Sequence, residues 1–140
     1  MKAHLTRRYH FSASHRLHSD GFSDAENQSV YGKCNNPYGH GHNYFVEVTV
    51  SGQVDAMTGM VCNLVDLDGF MRKEVLERYD RENLNMLPEF AGQVPTTENL
   101  CMRIYEIVHR GFDLAHLERV RLEETMMNSF EYAGEQQLRH

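Results

Sequence analysis

The chain has 140 residues, enough to bury a core without disulfides or a structural metal, so residues 1–140 read as a single domain. A net charge of −6 and the absence of any basic run exclude a binder of the nucleic-acid backbone, although a few local cations can still hold a small anion. No apolar run reaches membrane-span length, the first eight residues lack the apolar stretch of a secretory signal, and the odd count of three cysteines fits reduced thiols, so a cytoplasmic protein without a membrane partner is expected.

Residues 3–13 alternate, with Leu5, Tyr9, Phe11 and Ala13 on one face and Arg8, His10 and Ser12 on the other, interrupted by Arg7. That pattern predicts a strand. Residues 16–39 are polar and carry Asp20-Gly21, Asn35-Asn36-Pro37 and Gly39, which predicts a long loop with turns. A second strand is expected from about His42 to Ser51, with Tyr44, Val46, Val48 and Val50 on one face. A turn over Asp55–Gly59 and a short extended piece over Met60–Leu64 should follow.

From Asp66 the period becomes helical, through Leu67, Phe70, Met71, Val75 and Tyr79, with Asp66 as the expected N-cap. Pro95-Thr96-Thr97-Glu98 predicts a second helix start, and Gly111 its stop. Residues 118–124 alternate again, with Val120 and Leu122 inward, and 129–133 fit a return strand. The order β-β-α-α-β-β predicts an α+β domain: an antiparallel four-stranded sheet with two helices on one face. The strands at 3–13 and 129–133 are expected at its edges, where sheets of neighbouring subunits can pair.

The most informative triplet is His40-Gly41-His42. On a strand, residues two apart share a face at ~6.6 Å, so two imidazoles can converge on one ion. His15, at the end of the first strand, supplies a third. Three histidines with an open fourth position describe a catalytic zinc site. With nine histidines in the chain, spacing alone leaves a chance pair equally open. His4, His10, His18, His109, His116 and His140 read as ordinary surface or loop residues.

Cys34 lies six residues before His40. Beside a dication its thiol would have a depressed pKa and serve as base or nucleophile; otherwise it is a small buried hydrophobe. Cys62 and Cys101 sit in apolar patterns and take the second reading. Glu124 continues the inward parity of Val120 and Leu122. It either anchors a ligand through paired N–H donors or has already reached solvent at the strand end.

Taken in order, Phe11-Ser-Ala-Ser-His15-Arg16, Gly32-Lys-Cys34-Asn-Asn-Pro37, Gly39-His-Gly-His-Asn-Tyr44, Thr58-Gly-Met-Val61, Asn63-Leu64, Asp66-Leu67, Thr96-Thr-Glu-Asn99 and Glu124-Thr125 resemble the 6-pyruvoyl-tetrahydropterin synthase family. The resemblance runs from about Tyr9 to Glu135. It implies a tunnel-type (T-fold) unit forming homohexamers from two trimers, with active sites shared between neighbours. It implies zinc, one ion per subunit, on His15, His40 and His42, with Cys34 as catalytic proton acceptor. It implies Glu124 as the pterin anchor, with Thr96, Thr97 and Glu98 near the pocket. The implied reaction converts 7,8-dihydroneopterin triphosphate to 6-pyruvoyl-tetrahydropterin and triphosphate, without an external redox cofactor and with magnesium only as a companion of the triphosphate.

One segment departs from the family pattern. Where the family has an Asp-His pair after the first helix, this chain reads Tyr79-Asp80-Arg81-Glu82-Asn83-Leu84. Asp80 is kept. Arg81 stays protonated and cannot shuttle a proton, but it can stabilise a thiolate by charge. Alternatives to the pyruvoyl product are 6-carboxytetrahydropterin synthesis on the route to queuosine, release of the side chain as glycolaldehyde, and a non-catalytic pterin-binding protein. Five residues between Cys34 and His40, rather than three, favour the pyruvoyl type. A metal hydrolase or a Cys–His peptidase is disfavoured, because the histidines nearest Cys34 are expected to be ligands.

Overall fold

The computed structural model describes residues 2–134. Two 14-residue strands, β1 (Lys2–His15) and β2 (His40–Gln53), pair antiparallel along their whole length, from Lys2 opposite Gln53 to His15 opposite His40. Strand β4 (His116–Thr125) pairs with the other side of β2, and β5 (Asn128–Tyr132) folds back on β4 through an exposed turn at Met126-Met127. A two-residue strand β3 (Glu82–Asn83) lies parallel to β1 at Ala13 and Ser14. The sheet therefore has five strands in the order β3-β1-β2-β4-β5, not the expected four, and one pair is parallel. β3 is too short for any periodicity to reveal. It also means that β1 is not a free edge throughout, since its end nearest His15 is covered.

Alternate side chains of the long strands carry the core. Tyr44, Val46, Val48 and Val50 from β2, Phe11 and Ala13 from β1, and Val120 and Leu122 from β4 are all buried. Each fully buried aliphatic side chain is worth ~1.5–3 kcal/mol relative to exposure. The opposite face is polar, laced by Arg8–Glu123 at 3.0 Å and Arg121–Glu47 at 2.5 Å.

Helix α1 (Asp24–Tyr31) occupies the segment expected to be loop. It is short and only weakly amphipathic, but it carries a capping box. Ser23 accepts from the Glu26 amide and Glu26 accepts from the Ser23 amide, at 3.2 and 2.9 Å. A 3₁₀ turn, Gly32–Asn35, follows directly.

Helix α2 (Leu64–Met71) is capped by Asn63, whose side chain accepts from the Val65 amide at 2.8 Å. Asp66, the expected cap, instead lies inside the first turn. The Met60–Leu64 piece forms no strand, because Asn63 already starts the helix. The helix continues through a π-helical turn, Arg72–Leu76, into α3 (Glu77–Tyr79). Leu67, Met71, Val75 and Tyr79 are buried as their spacing predicts. Arg7, the residue that interrupts the β1 alternation, ties this helix to the sheet with two bonds to Asp68, at 3.1 and 2.9 Å, and Tyr9 adds a third at 2.8 Å.

Helix α4 (Thr97–Gly111) starts at the Thr96 cap and ends at Gly111, as predicted, burying Leu100, Cys101, Ile104 and Val108. Among the described residues, no helix is long and apolar enough to cross a membrane. His140 lies outside the described residues.

Candidate active site

Strand register builds the centre of the site. His15 and His40 are direct cross-strand partners, and His42, two residues along, faces Ala13. All three imidazoles project from the core face, and the small Ala13 leaves room beside them. Their ring centroids are 4.9, 5.0 and 4.5 Å apart, with each pair nearly perpendicular. Gly39 opens β2 at φ 74°, and a Cβ there would sit 3.1 Å from the His15 carbonyl oxygen, so only glycine lets the two strand ends approach this closely.

His15 is fully buried, and its Nδ1 lies 2.8 Å from the Pro95 carbonyl oxygen. A carbonyl only accepts, so Nδ1 carries the proton and Nε2 turns its lone pair to the centre. Among the described residues, three buried imidazole nitrogens lack hydrogen-bond partners: His15 Nε2, His40 Nδ1 and His42 Nε2. Burial lowers the pKa of both His15 and His42, which favours the neutral, ligating form. Unpartnered buried polar atoms are costly, and here they point into one cluster. The donor set fits a metal ion in two overlapping groups that share His15: His15, Cys34 and His40, and His15, His42 and Glu124, with ligand atoms within 4.8 Å of one another in each.

The remaining expected residues divide into those brought here and those held elsewhere. Glu124, near the end of β4, accepts a very short hydrogen bond from the Thr97 hydroxyl at the start of α4. Its other oxygen lies 3.5 Å from His42 Nε2, outside hydrogen-bond geometry but close enough for charge attraction. Thr96 caps α4 through the Asn99 amide, and Glu98 is exposed in the first helical turn.

Cys34 is half-buried on the 3₁₀ turn, in the wall of a cavity of about 1210 Å³ that also reaches His40 and His42. Its thiol pKa is raised rather than depressed, first by burial and then by the Glu124 charge. The expectation of a low pKa rested on a dication. The protein's own groups act the other way, so a thiolate here depends on a bound cation. Cys62 and Cys101 are buried; burial pushes Cys101 up to about 12, and both read as inert.

Asp80 and Arg81 are not in that cavity. The Asp80 carboxylate accepts from the Ser12 amide at 2.9 Å, and the Arg81 amide donates to the Ser12 carbonyl at 2.5 Å. Together they dock on the outer edge of β1 just before β3. Arg81 has φ 63°, the one positive φ at a non-glycine position among the described residues. Arg81 lines a second hollow of about 330 Å³ with Ser12, Ser14, Gly41 and Asn43, and His42 borders both this hollow and the Cys34 cavity.

Sequence reasoning missed several members of the site. Tyr44, read only as core, lies 3.4 Å from His15 Nδ1, and burial raises its pKa so that it stays a phenol. The Pro95 carbonyl leaves no side-chain signal. Asn35 holds the loop wall, donating to the Leu17 carbonyl at 2.8 Å.

The family model described as 6-pyruvoyl tetrahydropterin synthase matches residues 4–135. The chain belongs to this family. A 6-pyruvoyl tetrahydrobiopterin synthase of Homo sapiens is 47% identical over 135 residues, covering 96% of this chain and 93% of the human one. The solved 6-pyruvoyl tetrahydropterin synthase of Caenorhabditis elegans superposes with a TM-score of 0.90 at 40% identity, covering 96% of both chains. A protein of Archaeoglobus fulgidus with a provisional 6-carboxy-5,6,7,8-tetrahydropterin synthase name is 37% identical, over 76% of this chain and 84% of its own. The α+β fold is thus that of a family of pterin enzymes.

Proposed function

We propose that this chain is a cytoplasmic, zinc-dependent carbon–oxygen lyase that converts 7,8-dihydroneopterin triphosphate to 6-pyruvoyl-tetrahydropterin with release of triphosphate, working as a single domain within a homohexamer. The observation that carries the reading is the convergence of three unpartnered imidazole nitrogens, from His15, His40 and His42, beside Cys34 and Glu124. The family match and the identity to the human synthase support it.

His15, His40 and His42 would hold the ion, with Pro95 and Tyr44 fixing the His15 ring. A bound zinc ion supplies Lewis acidity toward the side-chain hydroxyls and the positive charge that a thiolate at Cys34 needs. Cys34 then removes a proton from the side-chain carbon. Triphosphate leaves with the electron pair of its carbon–oxygen bond, and tautomerisation moves hydrogen from the side chain into the ring, so no external redox cofactor is consumed. Glu124, oriented by Thr97, accepts hydrogen bonds from the 2-amino and ring N–H groups of the pterin. Thr96 and Glu98 flank that end, and magnesium serves only the triphosphate.

Asp80 and Arg81 lie outside their own chain's Cys34 cavity. In a hexamer with shared sites they would serve the Cys34 of another copy, with Arg81 stabilising the thiolate by charge while water carries the proton. A monomeric enzyme at assay concentration with full turnover would refute the shared site.

The archaeal relative favours a second reading, 6-carboxytetrahydropterin formation with acetaldehyde release. Product mass decides. Zinc-loaded protein and 7,8-dihydroneopterin triphosphate should yield 6-pyruvoyl-tetrahydropterin plus triphosphate. Carboxytetrahydropterin plus acetaldehyde would install the second reading, and unchanged bound substrate would leave only a pterin-binding protein.

A further inference from the structure

Charge pairing over the described residues is uneven. Arg7 pairs with Asp68, Arg8 with Glu123, Arg78 with Glu89, Arg119 with Glu131 and Arg121 with Glu47. Arg16 and Lys33 form no ion pair among the described residues, in a chain with six more acids than bases. Other cations also lack a carboxylate, Arg81 among them, but Arg16 and Lys33 share the Cys34 cavity. Two unpaired cations on one concave wall call for an anion.

Arg16 is aimed as well as unpaired. Its amide donates to Asn85 Oδ1 at 2.7 Å, and Asn85 Nδ2 donates back to the Arg16 carbonyl at 2.8 Å. The guanidinium Nε donates to the Asn35 carbonyl at 3.2 Å, which leaves both terminal nitrogens for a ligand. A guanidinium fixed at Nε presents its remaining donors as a planar fork suited to phosphate oxygens, and Lys33 adds a mobile point charge. One acid, Asp24, shares the cavity lining, exposed in the first turn of α1. The cavity therefore has a basic pole at Arg16 and Lys33, and its histidine wall leads through His42 to Glu124, 3.5 Å beyond it, where ring N–H donors belong. Its volume exceeds the 300–1,000 Å³ typical of small-ligand pockets, leaving room for a ring system and a charged tail together.

We infer that Arg16 and Lys33 form the subsite for the oligophosphate tail of the substrate, and that Asn85 is the positioning residue that aims Arg16. The inference rests on the proposed function for the identity of the ligand's other end. Two probes separate the poles: inorganic tripolyphosphate, supplied as its magnesium complex so that it does not draw the ion from the histidines, and phosphate-free 7,8-dihydroneopterin. Both are titrated calorimetrically into the metal-loaded full chain. Arg16→Gln and Lys33→Gln should each weaken tripolyphosphate about tenfold, and the double variant about a hundredfold, with dihydroneopterin within about twofold of wild type.

Arg16→Lys keeps the charge without the fork and should recover only part of the loss. Asn85→Ala should raise KM for the triphosphate substrate about threefold or more while kcat and dihydroneopterin affinity hold, a split that a merely structural asparagine would not produce. Wild-type tripolyphosphate affinity in folded Arg16→Gln/Lys33→Gln protein would overturn the subsite. Lys33 is exposed, so Lys33→Gln keeps the fold, and unchanged affinity in that variant alone would also overturn it. If wild-type protein takes tripolyphosphate through these residues but no dihydroneopterin, the subsite stands and the pterin reading falls.

Discussion

The sheet wall of the cavity and its loop wall hold their side chains by different means. On the sheet wall, His40 and His42, with the buried His15 behind them, point where strand parity and register send them, and those strands are anchored by buried Phe11, Tyr44 and Val46. On the loop wall, Arg16 directly follows β1, and Lys33 and Cys34 sit on the 3₁₀ turn that follows α1. Their positions depend on individual polar contacts: the Ser23–Glu26 box, the buried Asn27 side chain bonded to the Ser19, Phe22 and Ser23 carbonyls, and Asn35 bonded to the Leu17 carbonyl. The sheet fixes the histidines of the candidate metal site. The loop holds a thiol and the cations that the proposed function brings to substrate, on a scaffold whose local stability comes from a handful of hydrogen bonds.

The largest expected effect lies on the sheet wall. His15→Ala should take metal content from about one equivalent to near zero and abolish turnover, because removing one of three ligands leaves an incomplete site. Atomic absorption on dialysed protein checks it, and full metal content would break the contrast between the walls. Next comes Cys34→Ala on the loop wall. It should cost about 10²- to 10⁴-fold in turnover, the range of a lost general base, while metal content stays at wild type. Metal loss in this variant would mean that Cys34 is a ligand, as its group with His15 and His40 allows.

Smaller effects sharpen the comparison. Leu122→Ala empties a fully buried position beneath the sheet wall and should destabilise the fold by about 2–5 kcal/mol, read from chemical denaturation. Asn35→Ala leaves the part-buried Leu17 carbonyl without its donor, at a cost of about 1 kcal/mol, and hydrogen exchange should rise over residues 16–36 while the β1–β2 ladder stays protected. Equal loosening of both regions would refute separate control.

The smallest effect is at the α1 cap, where Ser23→Ala should cost about 1 kcal/mol, confined to that helix. The cap also has a pH sign. Hydrogen bonds from Ser23 hold the Glu26 carboxyl below its ordinary pKa. Its contribution is therefore present above the ordinary carboxylate pKa and is lost as pH falls through the depressed one, so amide protection in α1 should fall in acid before that of β2.

The legible parts of the site were those governed by short-range period. His40-Gly41-His42 on a strand, His15 at a strand end and Glu124 in phase with Leu122 follow from alternation, and the Thr96 cap from local chemistry. The α1 helix hid inside a polar segment because its weak apolar face carries little periodic signal; the Ser23-x-x-Glu26 spacing was the signal that could have found it. Asn63 outcompeted Asp66 as cap through its bond to the Val65 amide, one turn earlier than the apolar pattern begins. The β3 strand and the fifth place in the sheet escaped because two residues carry no period.

By itself, then, the amino-acid order determined the long strands, the two main helices and which histidines share a face, since parity and helical spacing are properties of the chain read locally. Only the tertiary structure decided that His15 stands directly opposite His40, that the Pro95 carbonyl sets its tautomer and that Glu124 meets Thr97. It also decided that Arg16 and Lys33 face the Cys34 cavity while Arg81 faces a different hollow. Those facts depend on register and on contacts between residues 25 to 80 positions apart, and such pairings are fixed by how whole elements pack rather than by any window of sequence.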